Sequence, residues 1–146
     1  MALTTFIAGL TNGGATPALE ATLAFTHARH RVIAGNVANL TTPGYKARRL
    51  DPAAFQRALK QALDRHTRRQ DPFEIPRTDQ IRTSGGSLSF RPTIDEPQNV
   101  LFQDGTNLSI ERQMSDLASN AMLTEVTTTL LSGYYEGMRK AIRGRV

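Results

Sequence analysis

The residues able to do chemistry do not converge on any familiar reactive pattern. His27 and His30 are near neighbours along the chain, and His66 lies far from both. A transition-metal site needs further His, Cys or carboxylate ligands meeting at one point. No acid stands at a suitable spacing on the same segment, and the chain has no cysteine, so no metal is expected. Ser84-Gly85-Gly86-Ser87 lacks the Gly-Lys that would complete a phosphate loop, and it reads as a flexible turn. No Ser/His/Asp set or paired-carboxylate pattern can be recognised, so no catalytic residue, cofactor or small-molecule substrate is expected and the chain does not read as an enzyme.

What remains is charge. Residues 27–70 carry ten Lys/Arg against two acids, Asp51 and Asp64, within a chain of net charge +5. The run Lys46, Arg48, Arg49, Arg57, Lys60, Arg65, Arg68 and Arg69 could meet nucleic acid or an acidic surface. It has neither a recognition-helix motif nor an aromatic stacking platform, so a solvated or subunit-facing surface is the preferred reading and nucleic acid is not an expected partner. A small basic helical-bundle protein that binds nucleic acid or another polyanion stays as the alternative.

The elements that must carry these residues are mainly helical. At 146 residues the chain holds one modest domain, and with 39% apolar and 6% aromatic residues and no Trp its core is thin. Part of it is therefore expected to order only against partners. No run approaches the roughly 20 apolar residues that span a bilayer. The opening Met-Ala-Leu-Thr-Thr-Phe-Ile-Ala-Gly-Leu lacks the charged start of a secretory signal, so any export is expected without a cleaved leader.

Residues 1–16 read as a flexible N-terminus. Thr16-Pro17 reads as an N-cap followed by proline at the first helical position. From there Leu19, Leu23, Thr26, His30, Ile33, Val37 and Leu40 recur at a 4-3 spacing, the seam of a helix of about six turns. Thr41-Thr42-Pro43-Gly44-Tyr45 stops it, with Pro43-Gly44 suited to the centre of a type II turn. Asn36 and Asn39 read first as amides that cap the last free carbonyls. Asp51-Pro52 opens a short amphipathic helix through Phe55, Leu59, Ala62 and Leu63 to about Asp64.

The stretch 65–106 is expected to be loose, with strands hinted at only by Leu88/Phe90 and Val100-Leu101-Phe102. Asp104-Gly105-Thr106-Asn107 reads as a turn, with Asn107 or Ser109 capping the last helix. That helix has the clearest pattern: Ile110, Met114, Leu117, Ala121, Thr124, Thr128, Leu131, Tyr135, Met138 and Ile142 keep the 4-3 alternation over about 50 Å. The expected fold is thus mainly α: two long terminal helices pair as a coiled-coil-like hairpin, with a short third helix and an irregular middle segment with room for short β strands.

Each long helix also has a second stripe. Ala21, Phe25, Ala28, Val32, Gly35 and Asn39 lie on nearly the opposite face of the first, and Leu123, Val126, Leu130, Tyr134 and Gly137 are set away from the seam of the last. A hairpin buries one stripe per helix and leaves the other wet, at about 1.5–3 kcal/mol for each large apolar side chain. Two solutions stand side by side: neighbouring chains cover the second stripes, or the short helix and the middle segment do so within one chain.

The stretch Arg31-Val32-Ile33-Ala34-Gly35-Asn36-Val37-Ala38-Asn39-Leu40-Thr41-Thr42-Pro43-Gly44-Tyr45-Lys46 resembles the N-terminal signature of bacterial flagellar rod and hook proteins. Asn36, Ala38, Asn39, Thr42, Pro43, Gly44 and Tyr45 match its Asn-x-Ala-Asn-x-x-Thr-Pro-Gly-Tyr pattern. Asp104 to Met114 and the closing Leu131 to Arg145 are similar to the C-terminal region of the flagellar basal-body rod protein family, and the short length and Arg-Gly-Arg ending favour its proximal members. Leu40-Thr41 and Thr106 depart from the commoner residues there without touching the turn chemistry.

The resemblance implies that residues 17–45 and 107–146 form the rod-core hairpin, flanking a basic short helix and loose middle at 46–106. It implies assembly or packing roles for Leu23, Ile33, Asn36, Val37, Asn39, Pro43, Gly44 and Tyr45 in the first half. In the last helix the corresponding residues are Met114, Leu117, Ala121, Leu131, Tyr135, Met138 and Ile142. Implied partners are other copies, other proximal rod proteins and the rod adaptor at the membrane ring, with the flagellar type III export apparatus engaged during secretion. The implied location is the periplasmic rod of the basal body.

Overall fold

Pro17 lies in the first turn of α1 (Ala15–Ala38), where the backbone N–H it lacks would have had no helical partner. The computed structural model describes residues 15–69, 71–85, 87–95 and 110–144. Along the chain follow β1 (Arg48–Arg49), α2 (Pro52–Arg69), β2 (Ile81–Ser84), β3 (Ser87–Phe90), β4 (Thr93–Ile94) and α3 (Ile110–Ile142). The expected strand at Val100-Leu101-Phe102, the turn at 104–107 and the caps at Asn107 or Ser109 lie outside the described residues, as do residues 1–14.

The Asp51 carboxylate caps α2, its Oδ1 accepting from the Ala53 N–H at 2.9 Å. The helix runs to Arg69, five residues past the end expected from its apolar spacing. His66 Nδ1 lies 2.7 Å from the Asp71 carbonyl and so ties the last turn to the chain leaving it.

Two antiparallel pairs fold the part of the middle described here. β2 and β3 form a hairpin with Ile81 opposite Phe90, turning through Gly85 at φ 57°. β1 pairs with β4, Arg48 opposite Ile94, and the Asp95 N–H donates to the Ala47 carbonyl at 2.8 Å. Gln80 links the two pairs: its Oε1 accepts from the Asp51 N–H, and its Nε2 donates to the Arg49 carbonyl and the Thr93 hydroxyl.

The core sits under these strands. Ala21, Phe25 and Ala28 of α1 meet Phe55, Ala58 and Ala62 of α2, closed by Leu50, Ile75 and Ile81. The Phe25 and Phe55 rings stack with centroids 4.2 Å apart, and Phe90 meets both edge-on at 5.6 and 6.2 Å. Phe25→Ala should therefore cost about 4 kcal/mol of unfolding free energy in a denaturant titration. A loss near that of an exposed residue would show that the aromatic cluster is not the centre of the fold.

The second stripe of α1 is thus covered from within the chain, by the route the self-contained alternative requires. The second stripe of α3 is covered only in part: Leu123 and Tyr134 are half-buried, Val126 and Leu130 stay exposed, and no α3 residue enters the core cluster.

Candidate assembly interface

With its apolar stripe committed to the core, α1 presents to α3 a face built on Thr26, Arg29, Ile33 and Asn36, all buried. α3 answers with Gln113, Asn120 and Thr127, its three buried residues, one heptad apart. The helices run antiparallel. Asn36 Nδ2 donates to Gln113 Oε1 at 3.0 Å, Arg29 Nη2 pairs with Asp116 Oδ1 at 2.6 Å, and Asn120 Nδ2 donates to the Thr26 carbonyl at 2.9 Å.

This corrects the seam expected for the last helix. Of its members only Leu117, Thr124 and Leu131 are partly covered; Ile110, Met114, Ala121, Thr128, Tyr135, Met138 and Ile142 are exposed, Ile142 at 80%. The docked face is rotated by about one residue, some 100° on a helix, because the apolar side of α1 is already occupied and polar residues pair with polar residues. On α1 the expected seam holds better. Thr26 and Ile33 are buried, Leu19, Leu23, Val37 and Leu40 half-buried, and only His30 is exposed.

At the end of α1 the turn signature becomes a network. Asn36 uses every hydrogen-bonding position of its amide: Nδ2 donates to the Arg48 carbonyl and to Gln113, while Oδ1 accepts from the Arg48 N–H at 3.0 Å and the Tyr45 hydroxyl at 3.3 Å. It therefore fastens α1, the turn, β1 and α3 together and is no simple cap. Capping falls to Asn39, whose Nδ2 donates to the Gly35 carbonyl at 2.8 Å.

The Tyr45 N–H donates to the Thr42 carbonyl at 3.2 Å across Pro43-Gly44, with Gly44 at φ 72°. Pro43 and Gly44 are exposed, and a Cβ at Gly44 would meet nothing within 4 Å. Gly44→Ala should thus act through backbone strain alone and cost about 1 kcal/mol, read as a shift in denaturation midpoint. An unchanged midpoint would show that the turn relaxes freely.

At the far end the Tyr135 hydroxyl donates to Glu20 Oε1 at 2.8 Å. That bond, and then the charge of Glu20, raise the Tyr135 pKa above its ordinary value. The bonded form is protonated, so the contact is complete below the ordinary tyrosine range and is lost as pH rises through the raised value. Both groups are exposed, and water screens the effect.

An open groove of about 750 Å³ runs between the helices, lined by His27, His30, Arg31, Ala121, Thr124 and Glu125. The fold thus brings an acid near the histidine pair from the opposite helix. Among the described residues no three His, Cys, Asp or Glu side chains come together in a way that could hold a metal ion.

The back of α3 carries an uncovered apolar ridge. Met122, Val126 and Leu130, four residues apart, are 70%, 57% and 55% exposed. Between Leu117 and Tyr135 the helix holds one charged residue, Glu125. Exposed apolar side chains on so uncharged a stretch are the kind of surface that packs against other proteins.

No protein-family profile matches the chain. Known proteins do: it is 27% identical over 118 residues to the flagellar basal body rod protein FlgB of Escherichia coli (strain K12), covering 79% of this chain and 83% of that protein. The chain is similar to the FlgB rod proteins. It is 25% identical over 133 residues to FlgB of Bacillus subtilis (strain 168), covering 86% and 91%. With FlgB of Aquifex aeolicus (strain VF5) the identity is 28% over 131 residues, covering 83% and 86%. The similarity to FlgB thus extends across most of both chains in distant bacteria, beyond the two ends that carry the sequence signature.

The polar contacts of the hairpin were not foreseen from sequence. Gln113, Asn120 and Thr127 could have been found by their seven-residue spacing, whereas nothing local marks Arg29, Asp116 or Gln80. Among the described residues no helix is long and apolar enough to cross a membrane.

Proposed function

We propose that this chain is a structural subunit of the proximal rod of the bacterial flagellar basal body, assembling through its terminal helices into a hollow helical rod that links the membrane ring to the distal rod. The observation that carries the reading is α3: a 33-residue helix that contributes nothing to its own core and leaves an apolar face uncovered. Similarity to FlgB proteins supplies the assembly such a helix would serve. On this reading the partners are other copies, other proximal rod proteins, the adaptor at the ring and, during secretion, the type III export apparatus. The role is one of packing rather than catalysis.

The test is to express an epitope-tagged chain in a bacterium lacking its own proximal rod subunit and purify hook–basal bodies. The tag should copurify with them, and swimming should return. A soluble, folded chain absent from those particles would sink the reading and favour a polyanion partner for α2, whose Arg57, Lys60, Arg65, Arg68 and Arg69 have no ion-pair partner among the described residues.

A further inference from the structure

We propose that the α1 face bearing Thr26, Arg29 and Asn36 is a docking surface for the α3 of a second copy, so that copies associate by exchanging this helix. The division of labour in the fold is the first ground. The apolar core is complete without α3, whose own buried residues are Gln113, Asn120 and Thr127. Lifting α3 away uncovers Thr26, Arg29 and Asn36, polar groups that water can satisfy, together with Ile33, and leaves the Phe25–Phe55–Phe90 cluster intact. Asn120 Oδ1 is buried with no hydrogen-bond partner among the described residues, which weakens the docking further.

The second ground is that recognition here is a register code rather than bulk burial. Arg29 with Asp116, Asn36 with Gln113, and the Thr26 carbonyl with Asn120 fix which turn meets which. Polar residues at seam positions specify partner and register at a cost in stability. The same code is present on an identical chain, and an element held by such contacts is the kind that domain swapping exchanges.

Charge agrees. The α1 surface facing α3 carries Arg29, with His27, His30 and Arg31 along the groove, and α3 brings Asp116 and Glu125. At low concentration the tethered helix wins by its high effective concentration; at high concentration a neighbour's helix competes.

The proposal rests on hairpin geometry alone, so its failure would leave the rod reading standing. Arg29→Asp and Asp116→Arg are made in separate full-length chains. Each alone opposes like charges, both within its own hairpin and between its own copies. On mixing, the exchanged arrangement restores an acid–arginine pair at both docks. Size exclusion with light scattering should give monomers for each variant alone and the mass of two chains for the mixture.

Amide exchange on α1 and α2 checks that both variants keep their core. Two folded variants that stay monomeric together would overturn exchange. If either charge reversal unfolds its chain, Thr26→Cys and Asn120→Cys in separate chains replace it, since the protein has no cysteine of its own. With equal amounts of the two chains, disulfide heterodimers well beyond twice either homodimer, the ratio of random pairing, support exchange; that ratio or less refutes it.

Discussion

Asn36→Ala should lower the unfolding free energy by about 3 kcal/mol, read as a shift in denaturant midpoint with an unchanged slope. The residue is 2% exposed and makes four hydrogen bonds, so truncation leaves the Arg48 carbonyl and N–H, the Gln113 amide oxygen and the Tyr45 hydroxyl short of a partner together. Each unmet buried group costs about 1–3 kcal/mol, and water re-entering beside the half-buried Tyr45 offsets part of the sum. Asn36→Asp is the sharper probe. It keeps both acceptor contacts but replaces two donors with an oxygen facing two oxygens, and it should be no better tolerated than alanine. A loss under about 1 kcal/mol for both variants would mean that solvent takes over the amide's role.

Val126→Asp and Leu130→Asp should do the reverse, leaving the isolated chain intact and abolishing incorporation into the rod. Both side chains are more than half exposed and touch no core residue, so monomer stability should stay within about 0.5 kcal/mol of the parent. If neighbouring subunits cover this ridge, each aspartate becomes a carboxylate buried without a partner, at several kcal/mol per contact, repeated at every subunit. The measurement is paired: denaturation of the purified variant, and recovery of the tagged variant in hook–basal bodies. A variant of normal stability that assembles normally would show that the back of α3 faces solvent in the rod. A variant that unfolds would show that the ridge is covered within the chain.

The two predictions mark the division between inward and outward contacts. Phe25, Phe55 and Asn36 serve one chain, as their burial and intrachain partners require. Met122, Val126 and Leu130 lie outside the core cluster and are more than half exposed among the described residues. A selected rod subunit needs both, because its core must hold while its long helix stays open to neighbours.

Much of this was legible in the residues. Caps, proline positions and 3.6-residue periodicity act over a few neighbours, so local residues were enough to place α1, α3, the start of α2, the Pro43-Gly44 turn with its positive φ, and the strand through Leu88 and Phe90. It also held the Asn-x-Ala-Asn signature that points to rod proteins.

Which stripe faces what was set by long-range packing. Periodicity reports that a helix has two apolar sides but cannot rank them, since the ranking depends on which partner arrives: the aromatic cluster took the Phe25 side of α1, and α3 was left to dock through Gln113, Asn120 and Thr127. The partners of Asn36 follow the same logic. The asparagine could be singled out, but its bond to Gln113 spans 77 residues, and no local rule reaches that far.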